Sequence, residues 1–122
     1  MTRRFITSYP IFDNVDISTA QESAISNILN LDNIGIMINV TDVSANDGEF
    51  SIEVSNDKEV WATLPFTDPL SGDQVFSIGL EDADEVIALS LNQVCFSWIK
   101  LVFTPNTSTD GVCSATLTAK QL

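Results

Sequence analysis

Apolar and polar residues alternate along much of this chain with the two-residue period of strands that bury one face. Ile34 to Val40 (IGIMINV) places Ile34, Ile36, Ile38 and Val40 on one side. Phe50, Ile52 and Val54 alternate with Ser51, Glu53 and Ser55, and within Val86 to Leu91 the buried set is Ile87, Leu89 and Leu91. Cys95 to Thr104 (CFSWIKLVFT) is the strongest strand, with Ile99, Leu101 and Phe103 alternating with Lys100, Val102 and Thr104. Cys95, Phe96 and Trp98 do not keep that period, which predicts a bulge or a sheet switch near Trp98. Val75 to Leu80 reads as a further strand. In the terminal strand Cys113, Ala115, Leu117 and Ala119 alternate with Ser114, Thr116, Thr118 and Lys120.

Turn residues punctuate these runs. Ser55-Asn56-Asp57-Lys58 predicts a hairpin turn with Val60-Trp61-Ala62 as its return strand. Pro65 and Pro69 bracket a loop or edge element, since proline cannot donate to a ladder. Asp42 to Gly48 reads as a loop, and the acid-rich stretch Glu81 to Glu85 as an exposed one. In Ser18 to Asn30 the spacing of Ala20, Ala24, Ile25, Ile28 and Leu29 predicts one short helix capped by Ser18. Two weak strands around Ser23 to Leu29 are the competing reading. Residues 1–16 read as an N-terminal arm or edge strand, and residues 17–122 as a single domain. Seven or eight strands separated by turns predict an all-β protein, an antiparallel β-sandwich of jelly-roll or immunoglobulin type, with a β-barrel as the alternative.

Composition narrows the chemistry. A chain of 122 residues with seven Phe can fill one core. Its formal charge of −12 repels nucleic acid phosphates. With no His, neither a Ser-His-Asp nor a Cys-His arrangement can form within the chain. There is no glycine-rich phosphate-binding motif. A paired-carboxylate hydrolase needs only two acids at the right separation, and 17 acids supply such pairs by chance.

Calcium is the one cofactor with any sequence support. Asp42, Asp47 and Glu49 (with Asn46), and Glu81, Asp82 and Asp84 (with Glu85), are candidate oxygen ligands, although neither group has a complete binding-loop spacing. Ordinary solvated loops would have the same composition. Cys95 and Cys113 are read as buried thiols or as one disulfide. No apolar stretch is long enough for a membrane span and the N-terminus does not read as a secretory signal, so a cytoplasmic product is expected.

Trp61 and Trp98 sit in strand-like apolar context and are expected in the core with Ile99, Leu101 and Phe103. Exposed in a row, they would instead make a carbohydrate platform. Tyr9 and Phe12, flanking Pro10, are candidate anchors between subunits, against the alternative of a strand in their own subunit.

The segments FSIEVSNDKEVWATL (50–64) and FSWIKLVFTPNTSTDGVCSATLTAKQL (96–122) together resemble a group of small structural proteins of tailed bacteriophages and prophages. In that group a Val-Ser-x-Asp-x-x-x-Trp hairpin precedes a Trp-Ile-Arg-Leu-x-Tyr-Thr strand and a Val-Thr-Leu-x-Ala-Lys ending. Carried over, Val54, Ser55, Asn56, Asp57 and Trp61 form the hairpin. Trp98, Ile99, Lys100, Leu101 and Phe103 form the long strand, with Thr116 to Lys120 beside it. Lys100 and Phe103 stand where the group more often has Arg and Tyr, and Thr109-Asp110-Gly111 replaces a glycine-richer turn. The resemblance implies a non-enzymatic virion subunit assembled in the host cytoplasm. Its roles there would be capsid decoration or cement, a head-to-tail component or a fibre-associated module, with copies of itself and other virion proteins as partners. A host-surface carbohydrate-binding module and an acidic hydrolase are the competing functions.

Overall fold

Strands with one apolar face must hide it against another layer, and two sheets packed face to face do so here. The computed structural model describes residues 6–29, 31–45, 48–81, 83–91, 94–106 and 109–121. Every regular element among them is a strand. The first six are β1 (Ile6–Asp16), β2 (Gln21–Glu22), β3 (Ser26–Asn27), β4 (Leu31–Thr41), β5 (Glu49–Ser55) and β6 (Ala62–Thr63). The rest are β7 (Phe66–Thr67), β8 (Gln74–Val75), β9 (Ile78–Gly79), β10 (Glu85–Leu91), β11 (Trp98–Thr104) and β12 (Val112–Gln121).

One sheet runs β1-β12-β4-β10, and the other is built on β11 and β5, all pairs antiparallel. β2 and β3 both pair with β11, and β6 and β9 both pair with β5, so each couple is one interrupted edge strand. Counted that way the sandwich has eight strands in the orders 1-8-3-6 and 2-7-4-5, which is jelly-roll connectivity. Twelve elements replace the seven or eight expected because two edges are broken and a small β7-β8 hairpin is inserted between β6 and β9.

The inward positions match the alternation. On β4 they are Ile34, Ile36, Ile38 and Val40, facing Ile87, Leu89 and Leu91 on β10 in the same register. Small residues on β12 make room for large neighbours, as where Ala115 lies between Phe12 and Ile38. Opposite them, Phe50 and Ile52 of β5 and Leu101 and Phe103 of β11 are fully buried, with the Phe50 and Phe103 rings 4.8 Å apart. Gly48 enters β5 so close to this pair that an added Cβ would collide with the Phe103 ring and lie 2.9 Å from the Thr104 carbonyl oxygen.

Four expectations are corrected. The helix over residues 18–30 is absent; β2 and β3 take its place along β11. Of its apolar positions only Ile28 is buried, while Ile25 and Leu29 are exposed. Ser23 decides the local geometry. Its backbone N–H donates to the Leu101 carbonyl and its Oγ accepts the Leu101 N–H, both at 2.8 Å, so the side chain completes the edge ladder. Ala24 and Ile25 then bulge outward before Ser26 pairs with Ile99.

The expected strand from Val75 to Leu80 is split between β8 and β9, which lie in different sheets. Of the bulge or sheet switch expected near Trp98, no bulge occurs, since Trp98 pairs in regular register with Ser55, and the strand read from Cys95 begins only at Trp98, after the chain has crossed from the sheet of β10. Phe12, a candidate intersubunit anchor, is only 4% exposed within its own core.

Gly48→Ala should destabilise the fold by about 1–3 kcal/mol, because an over-packed site must displace Phe103 or the β11 backbone. Chemical denaturation followed by tryptophan fluorescence would measure it, with Gly72→Ala as the comparison, since nothing lies within 4 Å of an added Cβ there, though its φ of +78° carries its own strain.

Candidate functional site

The outward faces, the loops and the clefts between them are where this protein can meet anything else. On the β11-β5 sheet the odd–even alternation that buries Ile99, Leu101 and Phe103 turns Trp98, Lys100 and Val102 outward. Trp61 leaves the Ser55–Lys58 turn onto the same face. Both indoles are half-buried there rather than enclosed in the core, which corrects the expectation for Trp61 and Trp98.

Each ring carries a lysine. Lys100 Nζ lies 4.3 Å from the Trp61 ring centre and Lys58 Nζ 3.9 Å from that of Trp98, both at cation–π distance. Lys100 also reaches Glu22 Oε1 at 3.1 Å and Glu53 Oε2 at 3.4 Å, so one ammonium links three strands and a ring. The two rings therefore have ammonium groups where a sugar platform would offer bare faces.

The hairpin beneath Trp61 is set by two side chains. Ser55 Oγ accepts the N–H groups of Asp57 and Lys58 at 3.2 and 2.9 Å. Asp57 Oδ1 accepts those of Glu59 and Val60 at 2.8 and 2.9 Å, and Trp61 Nε1 donates to the Lys58 carbonyl. Lys58 has a left-handed φ of 66°. The Val-Ser-x-Asp-x-x-x-Trp spacing thus encodes a turn whose polar backbone is satisfied by its own side chains.

Carboxylates tie the loops at one end of the sandwich. Asp110 accepts the N–H groups of Ser44 and Ala45 at 2.9 and 3.0 Å and also the Ser44 hydroxyl. Asp84 accepts the Val43 N–H at 3.0 Å, and Asp16 accepts that of Ser18 at 2.9 Å. These bonds hold the Asp110 carboxyl below its ordinary value of 3.8, the Ala45 N–H having the largest effect. The Val60 N–H does the same for Asp57, and the Ser18 N–H for Asp16.

Of the candidate calcium ligands, Asp47 and Asp82, with Asn46, lie outside the described residues. Among those described, Glu49 accepts the Ser77 hydroxyl, Glu81 donates its N–H to Glu85, and Asp84 is committed to Val43. Asp42 adopts a left-handed φ of 58° at the end of β4. No three acidic or sulfur side chains among the described residues gather around a common point.

Cys95 and Cys113 are not joined to each other. Cys113 is enclosed in the core, where burial pushes its thiol up to about 12, whereas Cys95 is exposed. Tyr9 is half-buried against the core beside Leu117.

Two clefts flank β10. One of about 400 Å3 lies among Phe66, Gln74, Leu91, Cys95 and Phe96. The other, of about 350 Å3, is lined by Leu70, Ile78 and Val86, with Asp68, Glu81 and Glu85 also contributing. Leu70 is 90% exposed and Phe76 64%, so the inserted hairpin region presents apolar groups to solvent. Sequence reading missed this surface because the structure splits the Val75–Leu80 run between two sheets.

No protein-family model matches the chain, and no curated protein matches it. Its fold does match solved structures. It is similar to YomS, an SPBc2 prophage-derived protein, with a TM-score of 0.72 at 11% identity, over 99% of this chain and 97% of that one. It is similar to the PBSX exported protein XepA, with a TM-score of 0.74 at 14% identity, covering 99% of this chain but 39% of XepA. The third is VP2 of the infectious bursal disease virus subviral particle, with a TM-score of 0.60 at 14% identity over 98% of this chain and 33% of VP2. At these identities the likeness is one of fold.

Two outcomes follow from the site chemistry. Depressed carboxyl values stabilise the fold fully above about pH 3.8, and that contribution is lost as the pH falls through the lower folded values. Thermal melts should therefore show Tm falling in that acid range, and Asp110→Asn should lower Tm at neutral pH while flattening the acid decline. A thiol-reactive chromophore should titrate Cys95 alone in the native protein and both thiols after denaturation.

Proposed function

We propose that this chain is a non-enzymatic structural subunit of a tailed-bacteriophage or prophage particle, working through protein–protein contacts as a capsid decoration or cement protein. The observation that carries this reading is the full-length match in fold to the prophage-derived YomS, which has almost no extra chain beyond the shared sandwich. A jelly roll serves both capsid and lectin functions, so the fold needs support from the surface. That support comes from how the charged groups are used. Asp57, Asp84 and Asp110 hold backbone, and Lys58 and Lys100 cap indoles, so these groups build a rigid surface. The same capping disfavours the carbohydrate platform.

In a particle, such a subunit would be ordered by lattice neighbours and would need no reacting group. A head-to-tail or fibre-associated position uses the same contact chemistry and differs only in partner. The acidic surface suits basic or neutral neighbours in the shell and keeps free subunits apart before assembly.

Quantitative mass spectrometry of density-purified particles from the phage or prophage that encodes the chain tests the reading. Many copies per particle, lost from the head fraction when the gene is deleted and regained on adding purified protein, are expected. Absence from purified particles would overturn the assignment, and enrichment in tails or fibres would move the subunit to those structures.

A further inference from the structure

The two outward faces of the sandwich differ sharply in charge. On the β11-β5 side lie Lys100, Glu22 and Glu53 with the lysine-capped indoles. The face of β1-β12-β4-β10 is built from three rows running straight across the strands. The first row is Ser8, Thr118, Gly35 and Ser90, and the second is Pro10, Thr116, Met37 and Ala88. The third is Ser114, Asn39 and Val86, with Asn14 hydrogen-bonded to Ser114 at the β1 edge. None of these residues is charged, in a chain whose net charge is −12. Asp13 accepts the Asn14 side-chain amide N–H at the β1 edge of the third row, and Lys120 and Asp16 stand beyond the rows, at opposite ends of β12 and β1.

We propose that this uncharged face is the surface through which two copies of the chain pair, sheet to sheet, with Met37 near the two-fold axis. Three observations select a second copy as the occupant. Two chains of charge −12 repel wherever their acids meet, and the three rows hold no acid, Asp13 being confined to their β1 edge. A basic partner would be drawn instead to the acid-bearing loops. The rows are also self-complementary, because mainly hydroxyl and amide groups flank a central row in which Pro10, Met37 and Ala88 are apolar and Met37 is 54% exposed.

Size sets the strength. Four strands spaced about 4.8 Å apart and some 23 Å long give roughly 450 Å2 in plan per copy, or on the order of 1,000 Å2 for the pair. That is at the lower limit for a specific interface, so the dimer should be weak, with a Kd on the order of 10–100 µM. Salt should strengthen it, since screening removes long-range repulsion between the acidic partners.

Sedimentation equilibrium of the intact chain, over a concentration series up to about 1 mM and at about 50 and 500 mM salt, tests the pairing. A dimer is expected that tightens with salt and weakens at least about tenfold in Met37→Glu. Val60→Glu, on the hairpin of the opposite sheet and 74% exposed, should leave it unchanged. Mixing Met37→Glu with Met37→Lys should restore a heterodimer, which also shows that both variants are folded. A monomer at every concentration, an oligomer indifferent to Met37→Glu, or equal loss with Val60→Glu would each overturn the proposal. None of these results bears on whether the chain is found in particles, so the assignment above stands or falls separately.

Discussion

Everything in this molecule depends on a single constraint, that two half-apolar sheets can leave water only by covering one another. Ile36, Ile38 and Leu89 on one side and Ile52, Leu101 and Phe103 on the other form one continuous core. Because the side-chain period is two residues, a slip of one position in β11 would turn Phe103 to solvent and bring Lys100 inside. The same rule therefore fixes the chemistry of both surfaces. Lys100 can reach Glu22, Glu53 and Trp61 only because its neighbours Ile99 and Leu101 are held inward.

The strands with strict alternation were legible in the sequence because each carries its own burial pattern. Ile34 to Val40, Phe50 to Val54 and Ile87 to Leu91 needed no tertiary information. The resemblance was accurate about the hairpin at Ser55 and Asp57, where side chain and backbone lie close in sequence. Reading failed where a distant strand decided the outcome. Ser18 to Asn30 has a helical spacing of apolar groups, but the unpaired edge of β11 and the Oγ of Ser23 make the extended form the one that satisfies the backbone. The two-residue strands β6 to β9 are likewise too short to carry a period.

The tryptophans misled for a different reason. Apolar neighbours suggested burial, yet Trp98 is in phase with Lys100, and phase outweighs composition in a strand. The acidic loops posed the converse problem, since a carboxylate that accepts backbone N–H groups and one that binds a cation have the same sequence signature. Asp110 and Asp84 are of the first kind, and their partners Ser44, Ala45 and Val43 lie far away in sequence. Nothing local marks such a contact.

The first and last strands of the sandwich are neighbours, Ser8 lying opposite Thr118, and β12 fills the gap between β1 and β4. β1 is made long before the strand it pairs with, Ser8 and Thr118 being 110 residues apart in sequence. A chain broken off before β12 would therefore lack the centre of the four-stranded sheet rather than its margin, leaving β1 and β4 without the partner they share.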